Sequence, residues 1–228
     1  MGINRNSLLA KRISGLPLTR TKTSMSEQTN TANDQQAFIE YAPVGEHLEH
    51  VPITVRPQLH YYVTRMGFLP NTLKLYLHTP WIAEHIFKLN NAVMRDERNS
   101  LSEHLKYRLA LLASRDNECP YCTAHNVLTL KRRWNHGDED LEHILNLDEP
   151  ADEREAVAMA FVHQASLDPA GVTDELRAEL AEHFTNQEVM EIVLIVGFWK
   201  MYNTMHLAMA APIEEAALDY RDWVAFGQ

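Results

Sequence analysis

The chain has 228 residues, 45% of them apolar and only two of them cysteine, with a formal charge of −10. That is enough apolar matter for one sizeable core, and too few cysteines for a small disulfide-stapled scaffold, so a reducing cytosol is the expected setting. The first 24 residues hold five basic side chains and no acid, which leaves −15 for the rest, from 16 basic and 31 acidic residues. An acidic body of this kind argues against a nucleic-acid partner, because phosphate binding rests on clustered Lys and Arg. A membrane partner is not expected either: the longest strongly apolar run, Ile192 to Trp199, is far shorter than the roughly 20 residues a spanning helix needs.

Residues 1–36 read as a disordered tail. The stretch up to Ser24 is rich in Arg, Ser and Thr and has the composition of a mitochondrial transit peptide, while Met25 opens a segment that reads as an ordinary soluble start. The two readings place the protein in the mitochondrion or the cytoplasm respectively. Residues 37–228 form the expected domain, and their apolar spacing is helical with few alternating runs, which predicts an all-α fold.

In chain order, Asn71 is the expected cap of a helical segment running through Leu73, Leu77, Trp81, Ile82, Ile86 and Leu89, with a break near Pro80. Ser100 and Glu103 have the spacing of a capping box ahead of a stripe formed by Leu101, Leu105, Leu109 and Leu112. The next helix opens at "NECPYCTAHN", with Pro120 in its first turn, Lys131, Arg132 and Arg133 in its last and Gly137 as its stop. A short helix over "DEDLEHILNL" follows, then a longer one over "EPADEREAVAMAFVHQASL". Thr173 starts another, and Thr185 with Glu188 caps a long helix, apolar nearly all round, that is expected to be a buried central helix or an interface helix.

The chemistry concentrates at the helix start. Residues three apart share a helix face, so Cys122 lies beside both Cys119 and His125. The positive helix end favours thiolate over thiol, and His125 could take a proton from Cys122 or stabilise its thiolate. A structural zinc site is not expected, since no second cysteine pair or histidine pair accompanies the first, and no cofactor is expected. The quartet Cys119-Pro120-Tyr121-Cys122 equals that of glutaredoxins, but theirs follows a strand and this one follows a helical stripe. Two inert buried cysteines are the plain alternative. His136, His143, His163, His183 and His206 read as ordinary surface or core residues, although Asn203 and His206 share a face of the buried helix and could reach a pocket.

The run "LSEHLKYRLALLASRDNECPYCTAHN" resembles the core of the carboxymuconolactone decarboxylase and AhpD-like alkylhydroperoxidase superfamily. The resemblance extends upstream to "MGFLPNTLKLYLHTP" and downstream through "FTNQEVMEIVLIVGFWKMYNT", covering roughly residues 65 to 210. It implies an all-helical protein assembled as a homo-oligomer that reduces hydroperoxides, an antioxidant activity of peroxiredoxin type with a redox-active disulfide. Carried over residue by residue, Cys122 attacks the hydroperoxide, Cys119 resolves it, His125 carries the proton, and a dithiol protein or lipoyl group is the reductant. Two departures stand out. The histidine is one residue closer to the second cysteine than in the best-known relatives, and Tyr107 stands where they have a relay glutamate, twelve residues before Cys119. Tyr107 in a modified role, Glu103 or Glu118 are the candidates to replace that carboxylate. The alternative functions are a lyase like the decarboxylase branch and a non-enzymatic redox-sensing oligomer.

Overall fold

The structure is a computed structural model, which describes residues 36–134 and 146–220. The tail, the helix over "DEDLEHILNL", the Gly137 stop, His136 and His143 lie outside or almost wholly outside those residues. Among the described residues there are nine α-helices and no strand, and the all-α expectation holds. The helices are α1 (Arg56–Met66), α2 (Asn71–Tyr76), α3 (Pro80–Arg95), α4 (Glu103–Asp116), α5 (Pro120–Trp134), α6 (Glu153–Leu167), α7 (Asp174–His183), α8 (Asn186–Met209) and α9 (Glu215–Leu218).

The core is organised around α4, which packs on α5, α6 and α8. Every residue of α4 from Lys106 to Ser114 is buried, charged ones included. Two of these charges survive burial because each has a partner: Lys106 Nζ donates to the Val93 carbonyl at 3.2 Å, and Arg108 meets Glu155 at 3.1 Å. The long helix α8 crosses α4 and α6 with one side only. Its other side leaves Met190, Val193 and Leu194 between 41% and 52% exposed. The central helix is therefore α4, and α8 is apolar all round because it also carries an outward apolar face.

Local signals decided most helix starts. Thr173 and Thr185 cap α7 and α8 as expected, the latter in a full capping box with Glu188. The Ser100–Glu103 box does not form. The N-cap of α4 is Ser102, whose hydroxyl accepts from the Leu105 N–H at 3.2 Å. The reason is tertiary: Glu191 on α8 accepts the N–H groups of Ser100 and Leu101 at 2.8 and 2.9 Å, which holds Ser100 outside the helix. Asn71 likewise is the first residue of α2 rather than its cap, and Pro80 begins a separate helix, α3, instead of interrupting one. The Asn71 side chain reaches across the fold, donating to the Pro212 carbonyl at 3.0 Å, while its backbone N–H donates to the Glu214 carboxylate. That pair of contacts ties the segment after α8 to the start of α2.

Among the described residues no helix is long and apolar enough to cross a membrane.

Candidate active site

Between α4 and α5 the chain reverses in three residues. Asn117 N–H and Glu118 N–H bond back to Ala113 and Arg115, and Glu118 takes a left-handed conformation (φ 52°). A non-glycine residue there costs on the order of 1 kcal/mol. The exposed Glu118 side chain leaves the turn for solvent, and the Cys119 N–H closes it on the Ser114 carbonyl at 3.0 Å. Pro120 then starts α5, whose last turn carries Lys131, Arg132 and Arg133. Cys119 and Cys122 are both free thiols, 0% and 1% exposed, and the Cys122 N–H points at the Cys119 sulfur at 3.4 Å.

The imidazole that touches Cys122 is His206, from α8. Its Nδ1 lies 3.0 Å from the Cys122 sulfur and its Nε2 2.6 Å from the Tyr76 hydroxyl on α2. Burial, with the charge of His125 adding to it, pushes the His206 pKa down to about 3, so the ring is neutral. A neutral ring next to a thiol accepts at Nδ1 and donates from Nε2 to Tyr76. The two sulfurs differ. Burial and then the adjacent Cys119 push the Cys122 thiol well up. Cys119 is lowered, chiefly by the hydrogen bond from Cys122 and less by the backbone N–H groups of Cys122 and Tyr121, against the effect of its own burial. A first negative charge on the pair thus sits on Cys119, and Cys122 is a thiol that needs a base. The helix start favours thiolate as expected, but at the first cysteine.

His125 has another partner. Its Nε2 lies 2.5 Å from Glu214 Oε2, in the segment after α8, and its ring stacks on Tyr121 at 4.3 Å. The Tyr121 hydroxyl donates to the other Glu214 oxygen at 2.9 Å and is itself approached by the Thr72 hydroxyl at 3.3 Å. Burial would raise the Glu214 pKa, but the hydrogen bond and charge of His125 with the Asn71 N–H outweigh it and hold the carboxyl below its usual range. Glu214 is thus an ionised carboxylate with three donors, tying α2, α5 and the C-terminal segment together.

Substituting Gln for Glu214 should cost about 2 kcal/mol in urea unfolding at neutral pH, since charge-assisted bonds are lost in a buried place. Its folded pKa is depressed, so this contribution is complete above the ordinary Glu value of about 4.3 and is lost as pH falls through the lower folded value. The stability gap between wild type and variant should therefore narrow below about pH 4.

Cys122, His125, His206 and Tyr107 line one cavity, partly open to solvent, walled by Tyr62, Met66, Pro70, Leu73, Trp199 and Tyr202. Cys119 lies behind Cys122 and is not among the lining residues. The two sulfurs and His206 Nδ1 lie within 4.8 Å of one another, so the donor set can accommodate a thiophilic cation, with a third ligand that motif spacing alone did not supply.

Solved structures share this arrangement of helices. The debrominase Bmp8 in its apo form matches with a TM-score of 0.67 at 24% identity, over 75% of this chain and 92% of that one. An alkylhydroperoxidase AhpD core protein from Ralstonia eutropha JMP134, described as peroxidase-related, matches with a TM-score of 0.66 at 22% identity, over 78% and 94% of the two chains. A peroxidase-related protein from Silicibacter sp. TM1040 gives 0.65 at 21% identity, over 80% and 94%. The chain has the AhpD-like fold. In sequence it is 21% identical over 168 residues to the uncharacterized protein YnjA of Escherichia coli K12, covering 73% of this chain and 92% of that one. No family model matches the sequence.

On the AhpD-like scaffold the residues singled out from the sequence separate. Cys122 and His125 line the cavity and Cys119 lies against Cys122, but the imidazole at the Cys122 sulfur is His206 and not His125. Tyr107 reaches the same cavity, but its hydroxyl accepts from Arg95 at 3.2 Å. Glu103 is turned away and pairs with Arg133, and Glu118 is exposed. No hydrogen bond joins any of these three to His125 or Cys122 among the described residues. The carboxylate behind His125 is Glu214, which carried no local signal. His206 was visible only as a polar residue sharing a face with Asn203 on an apolar helix. Asn203 donates instead to the Ala113 carbonyl at 3.2 Å, bracing the end of α4. His163 is ordinary in the sense expected, buried and bonded to Asp116 at 2.9 Å.

Proposed function

We propose that the protein is a thiol-dependent hydroperoxide reductase in which Cys122 attacks, Cys119 resolves and His206 is the base. The observation that carries the reading is the Cys122 sulfur at 3.0 Å from His206 Nδ1 at the inner end of an open cavity. As the sulfur attacks the terminal peroxide oxygen, the S–O bond forms, the O–O bond breaks, and the thiol proton moves to His206. Burial disfavours an imidazolium there, so the proton passes on to the departing alkoxide, which leaves as the alcohol, with His125 on the same cavity wall placed to relay it. The balance is thiol plus hydroperoxide giving sulfenic acid plus alcohol. The Cys119 thiol then condenses with the sulfenic acid, releasing water and leaving a disulfide that an external dithiol reduces. The direct test follows loss of tert-butyl hydroperoxide with dithiothreitol as reductant: turnover abolished by thiol alkylation is the expected result, and no turnover above buffer sinks the reading.

A second reading has support in the aromatic walls of the cavity and in the likeness to a debrominase. The same dithiol would reduce a brominated aromatic, exchanging bromide for hydrogen with release of a proton and formation of the disulfide. Bromide release from a bromophenol in the absence of peroxide turnover would favour it.

The homo-oligomer is proposed on the exposed face of α8. Replacing Leu194 by Glu puts a charge in the middle of Met190, Val193 and Leu194, and light scattering should then show a smaller species, with one chain of 26.2 kDa as the limit. An unchanged mass would place the interface elsewhere.

A further inference from the structure

The cavity over Cys122 adjoins a second one, the two sharing Tyr62, Met66, Arg95, Tyr107 and Thr129. The second cavity is lined by four arginines, Arg65, Arg95, Arg132 and Arg133, and among the described residues no Asp or Glu lines either space. In a protein of net charge −10 this is a local reversal of sign. Of the four, Arg133 is neutralised by Glu103, and Arg132 is bonded to the Met66 carbonyl. Arg95 stands at the junction of the two cavities, with no carboxylate bonded to it among the described residues. Its guanidinium donates to the Tyr107 hydroxyl at 3.2 Å and to the Asn91 side chain at 3.4 Å, and lies 4.7 Å from the centre of the Tyr61 ring. The Tyr62 hydroxyl is a third neutral acceptor, and a guanidinium with five N–H groups held by three neutral oxygens and a ring face keeps its full charge and donors to spare.

We propose that the hydroperoxide taken by this site carries a carboxylate, which Arg95 binds where the cavities join while the peroxide group reaches Cys122. Arg95 is then a binding residue, and Tyr107 a positioning residue that aims it. The chemistry fits one planar anion at one end only. The guanidinium fork matches a carboxylate in two parallel bonds, whereas Tyr62, Leu73 and Trp199 in the cavity over Cys122 accept an apolar or aromatic body. Arg65 and Arg132 add a positive field in the second cavity that draws anions in and weakens with salt. Tyr107, in place of a relay carboxylate, is consistent with this use: a glutamate there would neutralise Arg95 and close the site to an anionic ligand.

The inference rests on Cys122 as the reacting thiol, and it is tested without turnover. Titration calorimetry on the full chain with Cys122→Ser compares 3-phenylpropionate with its neutral counterpart 3-phenylpropanamide. The acid should bind about tenfold more tightly at low salt, and the preference should shrink as salt is added. Adding Arg95→Met should bring the acid to the level of the amide, and Arg95→Lys should restore part of the difference. Equal binding of acid and amide to the Cys122→Ser protein, which needs no arginine variant, overturns the proposal, as does a preference that survives Arg95→Met in a folded protein. A preserved acid preference in a protein that reduces no hydroperoxide would instead overturn the reductase reading and leave the carboxylate site standing.

Discussion

Cys122→Ser should lower hydroperoxide reduction by at least about a thousandfold, to the rate of the buffer reaction. The magnitude follows from the chemistry available at the site. A serine hydroxyl cannot take the peroxide oxygen and return it through a disulfide, and the other sulfur, Cys119, lies behind Cys122 with no surface on the cavity. Cys119 is the thiol on which the pair's first negative charge falls, so charge alone would nominate it as nucleophile. Access decides for Cys122. Cys119→Ser should behave differently: the first attack survives and the cycle stops at the sulfenic acid, so one equivalent of peroxide is consumed quickly and the steady state is lost.

His206→Asn should lower the rate constant for that first attack by about a hundred- to a thousandfold, within the range expected for loss of a positioned base. The Cys122 thiol is pushed up by burial, so at neutral pH it has little thiolate of its own, and among the described residues the imidazole within hydrogen-bond distance of its sulfur is His206. An asparagine puts its amide where Nδ1 stands, so it keeps a polar contact with the sulfur and removes the base, giving up only the Nε2 contact to Tyr76. A structural role and a base role separate in the pH profile. If His206 takes the proton, the variant's rate should climb steeply with pH as hydroxide does the same work, and the gap to wild type should close at high pH. A gap that stays constant across pH would assign His206 to positioning. His125→Asn should be milder, because it removes the partner of Glu214 without touching the sulfur.

What the sequence disclosed and what it withheld divide along contact distance. The start of α5 was legible because its signals are local: the proline at the first helical position, the cysteines three apart and the basic last turn all lie within one helix. The caps of α7 and α8 were legible for the same reason. The Ser100–Glu103 box had the right spacing and failed, because Glu191, 91 residues away, accepts the Ser100 N–H more effectively than a local cap would. The site shows the same division more sharply. Glu214 meets His125 across 89 residues, and His206 meets Cys122 across 84. Nothing near Glu214 in the sequence distinguishes it from Glu215. His206 did leave a trace, since a buried polar residue on an apolar helix needs a partner, and here the partners are a thiol and a phenol. Replacement of the expected relay glutamate by Tyr107 directed attention to nearby acids, whereas the carboxylate arrives from the opposite end of the chain and the tyrosine serves an arginine.

The reacting atom can be identified in a single turnover. Reduced Cys119→Ser protein, mixed with one equivalent of tert-butyl hydroperoxide and dimedone, should form a sulfenic-acid adduct on Cys122, located by peptide mass, at a rate close to that of the first step in wild type. If the Cys122 thiol titre is unchanged after the peroxide has been added, Cys122 is not the attacking atom and the account is contradicted.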